Sequence, residues 1–318
     1  MERQLEICID RVVESMKNEI QVLQEVGRKE FQTHTTRIKN LYQKAIDNAR
    51  TLIHSEEKGI LITNITTLKE YIHNCIKDGE YVLDIETTGL DPFNDLIVGI
   101  CLYSPSQKPA YIPMLHTNID NTLIEGQLEV AVVKQHITHL MESEALWINH
   151  NIKFDAKFLM YRWDIKPNNM YWDTQIGAFI LNENEPTHAL KPLYAKYITK
   201  SKDKQSYKDL FEKTPFNYIP LDLAEVYGAN DGTKTYKLYQ FQKQYLRPDH
   251  ERGDFKQLYK VFREIEMALL PVLCDMELRG VEIDTAFAKE LEIKYAQTIE
   301  EQEQYLYDVI YTRFGNKV

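Results

Sequence analysis

The 318-residue sequence predicts an α/β protein built on a mixed sheet flanked by helices, and three observations carry that expectation. Apolar residues recur every three or four positions up to about residue 55, and from about residue 60 the spacing changes to alternation. Three β-rich runs, "EYVLDIE", "DLIVGICLYS" and "PAYIPM", then follow one another with only turn signals between them. After them helical and strand-like segments alternate, a pattern that lays helices against a sheet and adds further strands to it.

Taken in chain order, residues 1–55 form a helical extension. Leu5, Ile9, Val12, Met16, Ile20 and Leu23 mark one amphipathic helix, and Ile38, Leu41, Ala45, Ala49 and Leu52 mark a second after a polar break at "THTT". Packing against the rest of the chain and service as a partner-binding arm both remain open for this pair. The three strand runs make an antiparallel meander, because "TTGLDPFND" and "SPSQK" are turn-forming connections. A helix follows over about 124–142, then a strand at "ALWINH", a helix at "KFDAKFLMYRW", a strand at "NMYWD" and further helices to about 247. Residues 253–318 read as two long helices broken at "RGVEID", where the glycine stops the first. The domain boundaries expected are therefore 1–55, 56–252 and 253–318.

Composition narrows the class of function. A hydrophobic content of 43% is ordinary for a globular chain, and no window approaches an apolar membrane span. The first thirty residues are too charged for a signal peptide, so a cytoplasmic location is expected, the host's cytoplasm if a phage encodes the chain. Cys8, Cys75, Cys101 and Cys274 are scattered without metal-ligand spacing and suggest neither disulfides nor a zinc site. A net charge of -10 argues against wholesale wrapping of nucleic acid. One segment, residues 190–213, runs against that average with lysines interleaved with tyrosines, as a solvated helix and loop or as a local phosphate-facing surface.

The chemistry-bearing stretch is "YVLDIETTGLDP". Alternation sends Asp84 and Glu86 to one face of the first strand, and the flanking Tyr-Val-Leu run marks that strand as central. Two half-buried carboxylates side by side repel unless a cation lies between them, so a metal site is favoured over solvated acids on an edge strand. "NHNIKFD" puts Asp155 in the first turn of a helix that follows a strand, at the strand's carboxyl end. Alone it would be an ordinary helix N-terminal charge. "YGAND" puts Tyr227 and Asp231 one helical turn apart on one face, which alone would be an ordinary surface pair.

In combination, Asp-x-Glu, Asn-x-x-x-Asp and Tyr-x-x-x-Asp resemble the proofreading 3'-5' exonucleases of the DEDD superfamily. The tyrosine subgroup fits best, and within it the exonuclease domain of family A, DNA polymerase I-like polymerases. "WDTQIGAFILN" and "HALKPLYAKYI" are similar to the family's helices between the second and third motifs, and "EIEMALLPVLCDMELRGVEID" is similar to its junction with the polymerase thumb. The resemblance runs from about residue 60 to the end and implies an RNase H-like sheet. Palm and fingers are absent, so polymerase activity is not expected from this chain; it is a fragment of a longer polymerase or works with a separately encoded polymerase domain. An RNase D-like stand-alone exonuclease, which lacks the junction, and a non-catalytic DNA-binding or docking module, which would have lost acids, are the alternatives.

The resemblance also implies roles. Asp84, Glu86, Asp155 and Asp231 would hold two divalent ions, Mg²⁺ or Mn²⁺, with Asp84 shared between them, and Tyr227 would orient the attacking water. Leu90 matches the apolar residue that wedges against the terminal base. Thr87, Asn151, His150 and His188 fall where the family contacts the substrate strand, with His150 standing where relatives often have glutamine. The substrate implied is a single-stranded or frayed DNA 3'-end.

Overall fold

The computed structural model describes residues 39–40, 42–51, 58–201, 207–212 and 214–315. Its centre is a six-stranded mixed sheet in the order β1-β4-β3-β2-β5-β6. The strands are β1 (Ile60–Leu61), β2 (Glu80–Thr87), β3 (Ile97–Tyr103), β4 (Ala110–Pro113), β5 (Leu146–Asn149) and β6 (Met170–Asp173). β2, β3 and β4 are the antiparallel meander expected, whereas β1 joins β4, β5 joins β2 and β6 joins β5 in parallel. β2 is therefore an inner strand with a neighbour on each side, which is why Val82 and Leu83 are fully buried.

One helix escaped the sequence reading. α1 (Ile65–Asp78) buries Leu68, Tyr71, Ile72 and Cys75, a helical repeat between two local signals. Asn64 caps its start by accepting from the Thr67 amide at 2.9 Å, and Gly79 ends it at φ 75. α2 (Val130–Glu142) begins later than the expected residue 124, because Gly126 at φ 81 belongs to an irregular loop. α3 (Ile152–Trp163) and α4 (Thr174–Leu181) follow β5 and β6 directly. Short turns of helix, α5 (Leu190–Tyr194) with a π-turn at Ala195–Thr199 and α6 (Tyr207–Phe211), lead to the long α7 (Leu221–Lys243), which lies against β2, β3, β4 and β5.

The expected amino-terminal helix around residues 5–23 lies outside the described residues. The second is helical over residues 42–51 and buries Ala45, Ile46 and Ala49 in a cluster with Val98, Tyr111, Phe216 and Leu223. Packing, one of the two roles left open by the sequence, is the role those residues have here.

The chain divides into two compact units, Met1–Cys274 and Asp275–Val318. The first runs past residue 252, where the sequence suggested a boundary, and its tail supplies core. α8 (Gly253–Lys260) and a π-turn at Val261–Glu266 lead into α9 (Met267–Arg279), and Phe262, Met267, Leu270 and Cys274 are buried in the main core. Phe262 packs on Trp172 with ring centroids 4.5 Å apart. The second unit is dominated by α10 (Thr285–Phe314), capped by Asp284. Val281, Ile283, Phe287 and Ile293 are exposed on it. Among the described residues no helix is long and apolar enough to cross a membrane.

The burial of Phe262 makes a testable statement about residues 253–274. Phe262→Ala leaves a cavity against Trp172 and should lower unfolding free energy by about 3–5 kcal/mol, read by denaturant titration. A change within about 0.5 kcal/mol would mean that this segment does not belong to the sheet's core.

Candidate active site

β2 presents Asp84 and Glu86 on one face, and its antiparallel register sets them opposite Cys101 and Gly99 on β3. Ligand-capable atoms of Asp84, Glu86 and Cys101 all lie within 4.8 Å of one another. The third acid arrives from the parallel side. β5 ends at Asn149, Asn151 turns the chain in the left-handed region at φ 62, and α3 starts at once, so Asp155 lies one turn inside it and fully buried. Asp155 Oδ1 accepts from the Ile85 amide at 2.8 Å, and Oδ2 accepts from Asn149 Nδ2 at 2.8 Å. Ile85 lies between Asp84 and Glu86, so one carboxylate is hooked to the backbone that carries the other two.

α7 supplies the fourth acid and the tyrosine. The Tyr227 ring stands edge-on to Tyr207 and Phe211, with centroids 5.8 and 5.6 Å away. One turn later, Asp231 has a side chain only 13% exposed and an Oδ1 without a hydrogen-bond donor. Two ammonium groups approach it, Lys191 Nζ at 3.4 Å and Lys234 Nζ at 3.9 Å.

Electrostatics ties the five groups into one cluster. Burial, then the negative charge of Asp231, pushes the Asp84 carboxyl up to about 7. Burial, followed by Asp84 and Asp231, raises Glu86, and burial followed by Asp84 raises Asp155. The Tyr227 hydroxyl is raised well above its usual value by burial and then by Asp231, Glu86 and Asp84, so it stays protonated and can donate. The structure thus brings together Asp84, Glu86, Asp155, Tyr227 and Asp231.

The residues expected to meet a substrate strand are found in different states. Leu90 is 83% exposed, just past β2. The Asn151 side chain is exposed while its amide donates to Asp173 Oδ1 at 3.1 Å. Thr87 Oγ1 donates to the Gly89 carbonyl at 2.6 Å. His150 is engaged inside the protein, its Nδ1 2.8 Å from Thr174 Oγ1, and burial holds its ring down at about 4, a neutral imidazole. His188 Nε2 lies 3.2 Å from the Asn182 carbonyl. Three contributors escaped individual notice in the sequence, Asn149, Asp173 and Lys191, and Cys101 was noticed only as a scattered cysteine. Asn149 and Asp173 each end a strand before a helix, a local signal; Cys101 and Lys191 reach the site only through tertiary pairing.

The donor set fits hard divalent cations. Four carboxylates offer oxygen, the ligand that Mg²⁺ and Mn²⁺ prefer. Their mutual repulsion is relieved by bound protons or by cations, and Asp231 Oδ1 accepts no hydrogen bond. Burial and the nearby carboxylates hold the Cys101 thiol far above its ordinary value, so it remains a neutral neighbour.

A pH dependence follows. In the metal-free protein folded Asp84 keeps its proton up to about 7, whereas the unfolded chain loses it near 3.8. Between those values the native state binds more protons, so its stability falls as pH rises. Melting temperature in chelator should drop from about pH 5 to about pH 7.5, and added Mg²⁺ should restore more of it at the higher pH. Asp84→Ala should flatten both trends; an unchanged slope in that variant would remove Asp84 from the coupled set.

Comparison with known proteins agrees with this geometry. A family profile described as 3'-5' exonuclease matches residues 60–246. The DNA polymerase I of Borreliella burgdorferi is 28% identical over 251 residues, covering 77% of this chain and 25% of the relative. The DNA polymerase of Escherichia phage T5 is 25% identical over 297 residues, covering 85% of this chain and 32% of the relative. Among solved structures, the POL domain of Pol1 from M. smegmatis, in complex with DNA primer-template and dNTP, aligns with a TM-score of 0.54. It is 12% identical over 76% of this chain and 36% of that one, a likeness of fold alone. The chain spans about a quarter to a third of the length of these curated relatives. With the mixed sheet flanked by helices as expected and more than half of the residues matched, the chain belongs to the 3'-5' exonuclease family of DNA polymerase I-like proteins.

Proposed function

We propose that this chain removes nucleotides one at a time from DNA 3'-ends by metal-dependent phosphodiester hydrolysis, as the proofreading part of a family A polymerase. The observation that carries the proposal is the gathering of four acids at one place, Asp84 and Glu86 side by side on β2, Asp155 bonded to the Ile85 amide between them, and α7 packed close to Glu86 with Tyr227 one turn before Asp231. Asp84, Glu86, Asp155 and Asp231 would hold two such ions, Mg²⁺ or Mn²⁺, through their carboxylate oxygens. When bound, such ions acidify a water and neutralise charge on the phosphoryl and leaving oxygens.

The chain's own groups do the rest. Tyr227, held protonated, donates a hydrogen bond that fixes the direction of the attacking water, and Glu86 accepts from that water on its other side. Leu90, exposed at the end of β2, wedges against the terminal base. Thr87, Asn151 and His188 line the path of the strand, with His150 behind them on Thr174, and the lysines of 190–213 other than Lys191 draw its phosphates against an acidic average. The polymerase domain is supplied by the same parent chain or by a partner.

The test is release of mononucleotides from 3'-ends in Mg²⁺, with none from 5'-ends or circles. The site takes its 3'-end as a single strand in this reading, so a paired end must fray first, at a few kcal/mol. Single-stranded ends should be cut fastest, mismatched ends next, A·T ends after them and G·C ends slowest. Asp84→Ala should abolish cleavage while preserving the fold. Equal rates on single-stranded and G·C-paired ends would sink the frayed-end assignment, and normal turnover by Asp84→Ala the metal assignment.

Tyr227→Phe should slow the chemical step by roughly 10²–10⁴-fold while metal and single-strand affinity stay nearly constant. A loss of affinity as large as the loss of rate would make the hydroxyl a substrate contact instead.

A further inference from the structure

Lys191 stands in the first turn of α5, inside the lysine-rich segment that the sequence singled out. Its side chain is only 16% exposed, so it is not one of that segment's solvated cations. Nζ lies 3.4 Å from Asp231 Oδ2 and 3.7 Å from the centroid of the Tyr227 ring. One ammonium therefore touches both functional side chains of α7, the carboxylate by charge and the ring through its π face. It also acts favourably on Asp84 and Glu86, whose carboxyls its charge pulls downward. Tyr207, Phe211 and Phe216 pack on the same ring with centroids 5.6 to 6.0 Å away, so ammonium and aromatic wall together fix its plane.

We propose that Lys191 is a positioning residue which clamps the Tyr227 ring and serves as an internal cation on Asp231 that a divalent ion has to displace. The proposal rests on the metal-dependent exonuclease reading of the site. A group that lends charge to the acids before metal arrives opposes metal binding, and the same group that holds the tyrosine speeds the reaction. Its removal therefore moves two quantities in opposite directions. A residue needed only for packing would weaken both.

The experiment compares the whole chain with Lys191→Gln, Lys191→Arg, Tyr227→Phe and the double variant Lys191→Gln/Tyr227→Phe. Mn²⁺ affinity is measured by calorimetry without DNA, and single-turnover cleavage of a single-stranded 3'-end is measured at saturating Mn²⁺. Lys191→Gln should bind Mn²⁺ roughly 5-fold tighter or more, at the lower end of ordinary coupling between sites. It should cut roughly 10-fold more slowly, the scale of a partly desolvated cation–π contact. Lys191→Arg, which keeps the charge and can stack, should return both values toward the wild type. In the Tyr227→Phe background the glutamine should add little further loss of rate, because the hydroxyl being positioned is gone. Unchanged or weaker Mn²⁺ binding by Lys191→Gln overturns the internal-cation role, and additive rate losses in the double variant overturn the clamp. Absence of cleavage by the wild type itself would instead overturn the exonuclease reading, which keeps the two failures apart.

Discussion

The constraint on which this structure turns is the repulsion among four carboxylates that share one partly dehydrated cleft. Asp84, Glu86 and Asp155 are all pushed upward by burial and by one another or by Asp231, so the metal-free fold holds protons or ammonium groups there. Such a cluster does not assemble from its own interactions. The surrounding framework has to hold it, and much of the local backbone is explained by that demand.

Asp173 shows how the holding is done. It ends β6 and caps α4, accepting from the Gln175 and Ile176 amides at 2.8 and 3.3 Å. It also accepts from the Asn151 and Ile152 amides at 3.1 and 2.8 Å, at the start of α3. One buried carboxylate thus satisfies the unpaired donors of two helix N-termini and binds them together. α3 is the helix that delivers Asp155, and Asp155 in turn grips the Ile85 amide on β2. The chain of support runs from β6 through Asp173 and α3 to the strand that carries Asp84 and Glu86.

What the sequence revealed, and what it hid, follows the range of each interaction. Asp84 with Glu86 was legible because a strand's period of two is local, and Tyr227 with Asp231 because a helical turn is local. The meander and the strand-to-helix turn before Asp155 were legible for the same reason. α1 carried local signals too, Asn64 before it and Gly79 after it, but lay directly beside the stronger β run. Cys101 could not be seen at the site without the register that sets it opposite Asp84. Lys191 could not be told from its solvated neighbours without knowing that α5 lies beside α7. The membership of Phe262 and Cys274 in the core likewise depends on contacts far along the chain, which the helical spacing after residue 252 does not reveal.

The closeness of α7 to the sheet completes the arrangement, and it rests on side chains that are missing. A Cβ at Gly228 would lie 2.4 Å from Cys101 Sγ and 3.3 Å from Tyr111 Cδ2, both fully buried and unable to retreat. A Cβ at Gly99, opposite Glu86, would lie 1.9 Å from the Tyr111 hydroxyl, which is itself held 2.6 Å from His116 Nε2. Glycine at these two positions costs backbone entropy, yet at 228 it lets α7 approach β3, and at 99 it leaves room for the Tyr111 ring beside them. Gly228 follows Tyr227 directly and precedes Asp231 by less than one turn. Any shift that relieved a clash there would carry both side chains away from β2 and loosen the cluster. The helix is thus set close by what it lacks, and the site's charge density is a consequence of that approach as much as of the acids themselves.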